Sequence, residues 1–140
     1  MVCRVVYLSI AVLVLSCAAA MASDTGKEVA AVAAAEKWLA IVDAGDYSES
    51  WKEAAGLFKN AVKPEQWEQS MQAVRKPLGK LIYRNVLMKI YKNVMPGAPD
   101  GEYVVIQFKT SFESQQAAIE TVTPMMDKDG KWRVSGYFIK

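Results

Sequence analysis

Small and apolar residues recur at helical spacing from residue 32 onward, with Val32, Ala35, Leu39 and Val42 on one face and Trp38 and Ile41 beside them. The spacing predicts a first helix that opens at a capping-box-like stretch, Thr25 to Glu28, and runs to about Ala44. Gly45 suits the left-handed residue that ends a helix, and Asp46, with Glu49 three residues on, carries a start signal. The pair Asp43 and Asp46 therefore reads as punctuation between helices rather than as two working carboxylates. A second helix continues through Trp51, Ala54, Ala55 and Phe58. A third opens at Pro64 and Glu65, buries Trp67, Met71, Val74 and Leu78, and stops at Pro77 to Gly79.

Beyond Gly79 the period changes to two, and four strands are expected at about 80–94, 102–112, 115–126 and 131–139. The connections at Pro96 to Gly101, Glu113–Ser114 and Asp127 to Gly130 are turn chemistry, and their shortness implies an antiparallel meander. A two-residue turn at Glu113–Ser114 pairs Phe108 with Ile119, Ile106 with Thr121 and Val104 with Thr123. A four-residue turn at Asp127 to Gly130 sets Trp132, Val134, Gly136 and Phe138 beside Met125, Thr123, Thr121 and Ile119. These residues form the expected helix-facing side, and Ala118, Glu120, Val122 and Tyr137 fall on the other. The order of elements gives an α+β class, with three N-terminal helices packed on a curved four-stranded sheet.

The segment ahead of the first helix changes the domain count. Arg4, an apolar run from Val5 to Leu15 and small residues ending Ala20–Met21–Ala22 read as a signal peptide over 1–22, leaving a single domain over 23–140 and a periplasmic or secreted protein. A second reading takes Leu15–Ser16–Cys17 as a lipid-attachment site, which would add a membrane anchor at Cys17. Both cysteines, Cys3 and Cys17, lie in the leader, so the mature domain has no disulfide or thiolate chemistry. Without Arg4, 16 basic residues face 15 acidic ones, too even a balance for a nucleic-acid partner.

The composition contains no histidine, which removes the commonest general base and metal ligand and closes chemistry that needs a His/Asp pair. No phosphate-cradling glycine pattern appears, and no cofactor is implied. Arg84, Thr110, Thr121, Thr123 and Gly136 outline a candidate ligand pocket on the helix-facing side, where threonines and a glycine replace larger side chains. Glu120, opposite Tyr137 and near Gln107, is the best carboxylate–phenol cluster for isomerase-type chemistry, but on this register it forms a ladder on the face away from the helices. That face also carries a mixed apolar patch of Tyr91, Val105, Val122 and Tyr137, a candidate interface for an envelope protein or a second copy of the chain.

The stretches "AAEKWLAIVDAGDYSESW", "VRKPLGK", "PGAPDGEYVVIQF" and "ETVTPMMDKDGKWRVSGYFIK" resemble the secreted bacterial family of unknown function DUF4019 over nearly the whole mature chain. Helices followed by a curved sheet, with "DAGDY" between the first two helices and "GKWRVSGYFIK" as the last strand, are also similar to the nuclear-transport-factor-2-like superfamily. That likeness implies a cone of sheet around helices, a fold that hosts isomerases, dehydratases and non-catalytic binding modules alike, so it does not decide function. The missing catalytic groups favour a non-enzymatic module for a small ligand or a protein; the alternative is a small-molecule isomerase using a carboxylate in the cone pocket.

Overall fold

In the computed structural model the backbone is described for residues 17–140 and the side chains from residue 24 onward. The leader expected over 1–22 lies outside the described residues except for the backbone of its last six. The first helix, α1, spans Cys17–Asp43, so Thr25 and Gly26 fall inside it and the helix begins upstream of the expected capping box. Alanine-rich sequence before Thr25, with high helix propensity, accounts for the earlier start. Its buried face is Ala31, Ala35, Trp38, Leu39 and Val42, at intervals of three and four. The N–H of Gly45, at φ 78°, donates to Val42 O, and that of Asp46 donates to Ile41 O, which together close the helix in a Schellman turn.

The expected second helix is two short ones, α2 (Tyr47–Lys52) and α3 (Gly56–Ala61). The break has a physical cause. Ala54 and Ala55 are fully buried, and the Ala55 N–H leaves the helical ladder to donate to Val134 O at 2.8 Å. The Gly56 N–H, first in α3, is then satisfied across the fold by Asp127 Oδ2 at 3.2 Å. Asp46 stands at the N-cap position of α2, but its side chain makes no capping bond. The fourth helix, α4 (Pro64–Val74), starts with proline at its first turn, and the Gln66 side chain accepts from the Lys63 N–H. A 3₁₀ turn at Lys76–Leu78 leads into Gly79, at φ 78°, and then the sheet.

Four strands, β1 (Leu81–Lys92), β2 (Tyr103–Phe112), β3 (Gln115–Met126) and β4 (Trp132–Ile139), form an antiparallel meander in the order β1-β2-β3-β4. The α+β class and the strand spans follow the sequence; the register does not. Phe112 pairs with Gln115 across the expected tight turn, but β3 then bulges, so that Thr110 meets Ala118, Phe108 meets Glu120 and Ile106 meets Val122. A second bulge, beside Pro124, follows from proline having no ladder N–H to give: Pro124 pairs with Val134, then Thr123 with Gly136 and Val122 with Tyr137. One extra residue exchanges the two faces of a strand. Glu120, Val122 and Tyr137 therefore turn toward the helices, while Thr121, Thr123, Gly136 and Phe138 turn away, Phe138 being 53% exposed. Trp132 and Val134 precede the second bulge and keep the expected inward direction.

The core lies where α1 crosses this inward face, with Val104, Ile106, Phe108, Val122 and Val134 beneath Trp38 and Leu39. Side chains of this size contribute roughly 1.5–3 kcal/mol each on burial. Tryptophans also fix the helical layer by hydrogen bonding. Trp38 Nε1 donates to Ser50 O at 2.8 Å, Trp67 Nε1 to Ser50 Oγ at 2.9 Å and Trp51 Nε1 to Val62 O at 2.8 Å, so that Ser50, with no exposed surface, is a hub for two of them.

Candidate functional site

Because the bulge turns Glu120 inward, a carboxylate with 0% exposure sits under the helical layer. Burying such a charge costs several kcal/mol unless it is paired and hydrogen-bonded. Arg84 pairs with it in a bidentate fork, Nε to Oε1 at 2.7 Å and Nη2 to Oε2 at 3.1 Å. Thr110 Oγ1 donates to Oε1 at 2.6 Å, and the Tyr137 hydroxyl donates to Oε2 in a short bond. All of these donors come from the inner face of the sheet, and their convergence depends on the register.

The network continues into the helices through Asp43. Arg84 Nη1 reaches Asp43 Oδ2 at 2.7 Å, Arg84 Nη2 reaches Oδ1 at 3.0 Å, and Arg75 Nη2 reaches Oδ1 at 3.1 Å. Arg75, 3% exposed, also donates to Gly79 O at 2.6 Å and lies over the Phe112 ring at 4.4 Å, while its Nε has no partner among the described residues. Burial opposes the Arg84 charge, and the hydrogen bonds to Asp43 and then Glu120 outweigh it, so the guanidinium is held protonated. Burial first, and the Glu120 charge second, push the Tyr137 phenol far up, which keeps it a neutral donor. Two cations and two carboxylates balance. Of its members Tyr137 alone is among the described residues that line the two concavities flanking β4, and it stands between them and the Glu120 carboxylate.

The sequence-predicted residues divide between two places. Arg84 and Thr110 meet at Glu120. Thr123 and Gly136 are cross-strand partners on the other face, and Thr121, between Gln107 and Phe138, has a buried Oγ1 without a partner among the described residues. The expected patch of Tyr91, Val105, Val122 and Tyr137 is not one surface. Val122 is fully buried, Tyr137 packs against Trp38 and Trp67, and Tyr91 lies against the core with its hydroxyl on Glu102. Only Val105 keeps a partly exposed place on the outer face, beside Ile90.

Two concavities, of about 430 and 400 Å³, flank β4. Consecutive residues, Ser135 to Tyr137, line the first and Tyr137 to Ile139 the second. Successive side chains of a strand point to opposite faces, so a space that touches Tyr137 to Ile139 in a row follows the strand's edge, while the first also reaches across the sheet to Thr123 of β3, Tyr103 of β2 and residues 95–98. The two share Phe58, Val62 and Tyr137 and form one trough. Leu57 and Ala61 of α3 and Met95 wall the first part, with Thr123 and Gly136 at its floor; Trp67, Met71 and Val74 of α4 wall the second. Among the described residues no charged side chain lines either part. Gly136 is not at positive φ, and a Cβ there would meet nothing within 4 Å among the described residues, so its missing side chain leaves open space rather than relieving a clash.

Sequence reasoning missed Arg75, Asp43 and the trough. Arg75 carried a signal, since it extends the Trp67–Met71 interval by four on a buried helix face. Among the described residues no group of His, Cys, Asp and Glu is placed to hold a metal ion, and no helix is long and apolar enough to cross a membrane.

Residues 34–137 match the family described as protein of unknown function (DUF4019), and the chain belongs to that family. No curated protein and no solved structure matches the chain.

Proposed function

We propose that this domain is a non-catalytic binding module of the cell envelope, exported by its leader, and that it takes uncharged apolar ligands in the trough along β4. The observation that carries the reading is the state of Glu120. The carboxylate best placed for isomerase-type chemistry accepts from Arg84, Thr110 and Tyr137 and has no exposed surface, so it has neither room for a substrate nor a free lone pair to take a proton. The open space lies elsewhere and is lined by apolar walls with a few hydroxyls, as small-molecule sites commonly are.

The neutral apolar dye Nile red tests it. Saturable binding is expected, weakened roughly tenfold or more by Gly136→Phe, which fills one part of the trough, and by Ser70→Phe, which fills the other. A flat titration, or one that neither substitution changes, would remove the trough as a binding surface. Mass spectrometry of the protein isolated from its host is expected to give a mature N-terminus at Ser23; an acylated Cys17 would replace the free form with an anchored one.

A further inference from the structure

The trough follows a sheet edge, and the two edges of this sheet differ. β1 carries Lys89 and Lys92, with Lys80 just before it, and is broken by two irregularities, the devices that keep edge strands from pairing. The last residues of β4, "GYFI", carry no charge, and Phe138 is half exposed.

The direction of the β4 main chain follows from its ladder. Ile119 and Lys140 exchange both hydrogen bonds, at 3.0 and 2.9 Å, so Lys140 faces β3. Antiparallel pairs alternate, and Ile139 and Tyr137 therefore point their N–H and C=O away from β3, toward the trough. Further along the same edge that orientation is already in use, where Val134 O accepts the Ala55 N–H. Among the described residues no main-chain partner meets Tyr137 or Ile139 on that side.

Resting on the reading of the trough as the binding surface, we propose that its ligand is an extended, uncharged apolar peptide segment of a partner protein, which adds to β4 as a fifth strand. Its main chain would bond to Tyr137 and Ile139, continuing the line that Ala55 begins. Its alternate side chains would enter the space between Trp67, Met71 and Val74. The absence of charge among the described lining residues selects an uncharged segment. A free hydrocarbon would fill the same walls but leave the edge donors and acceptors unused. A second copy fits less well, because its β4 edge brings α3 and α4 alongside it, whereas a single extended segment brings nothing.

The probe is the peptide acetyl-TVTLTVGKK-amide, with the same peptide N-methylated at alternate strand residues as control, followed by amide hydrogen exchange read by nuclear magnetic resonance. The unmodified peptide is expected to slow exchange at Tyr137 and Ile139, and the N-methylated form to bind roughly tenfold or more weakly. Ile139→Pro removes an outward N–H without touching the β3 ladder and is expected to abolish the protection, whereas Ile139→Ala, which keeps the N–H, retains it. Equal binding of both peptides overturns the inference, as does protection that rises with protein concentration in the absence of peptide, which would assign the edge to a second copy. If Nile red binds and no peptide protects these amides, the strand inference falls and the binding reading stands. If neither binds, both fall.

Discussion

Glu120 illustrates how a single side chain changes meaning with one step of register. On the outer face it would be a solvated member of a surface ladder; on the inner face it is an ion whose burial is compensated by Arg84, Thr110 and Tyr137. Removing one partner of such a pair leaves the other charge buried, which costs about 3–5 kcal/mol. Glu120→Ala is therefore expected to lower the unfolding free energy by that amount, seen as a lower urea midpoint at unchanged slope, and a loss below about 1 kcal/mol would contradict this hydrogen-bond arrangement. The residue identities in this cluster were legible: Arg84 and Thr110 stood out as polar residues at inward positions, and Glu120 opposite Tyr137 as a carboxylate–phenol pair. Their convergence was not. It depends on an extra residue in β3 that no turn signal marks, and on Asp43, whose place beside Gly45 and Asp46 made it look like part of a helix stop.

At the scale of elements, spacing and punctuation carried most of the information. The Schellman turn at Gly45, the proline start of α4 and the strand spans all follow from local chemistry. The split between α2 and α3 was hidden, because it is made by partners in β4 and in the β3–β4 turn, 71 residues distant in the case of Asp127. Pro124 was the readable hint of the second bulge, since a proline inside a strand pattern marks an irregularity. Asp127 caps α3 from a distance, and Asp127→Ala is expected to cost about 0.5–2 kcal/mol, seen as a lower thermal midpoint. The same turn adds a small acid-sensitive contribution to stability. The Lys128 and Gly56 amides, followed by Arg133, hold the Asp127 carboxyl below the usual range, and the hydrogen bonds from Arg133 hold Asp129 down to about 2. Depressed values mean that this stabilisation is complete above about pH 4 and is lost as pH falls through about 2. Unfolding free energy measured between pH 5 and pH 2 is expected to fall less steeply in Arg133→Gln than in the wild-type chain; parallel curves would show that the pair does not contribute.

For the molecule as a whole, the α+β class was accessible from the order of periodicities, whereas the trough was not, because it exists only where α3 and α4 stand off from the edge of β4. Asp43 has a larger-scale consequence. It is the last residue of α1, and its carboxylate holds Arg75, just past the end of α4, and Arg84 of β1. Sequence separations of 32 and 41 residues are closed at one point, and the Arg84 side chain carries the connection on to β3. Neither the helical half nor the meander can open alone without stranding buried ions in an apolar interior. Deuterium labelling under native conditions should therefore find the slowest amides of α1 and β2 released in a single shared event, and Asp43→Asn should separate them into two.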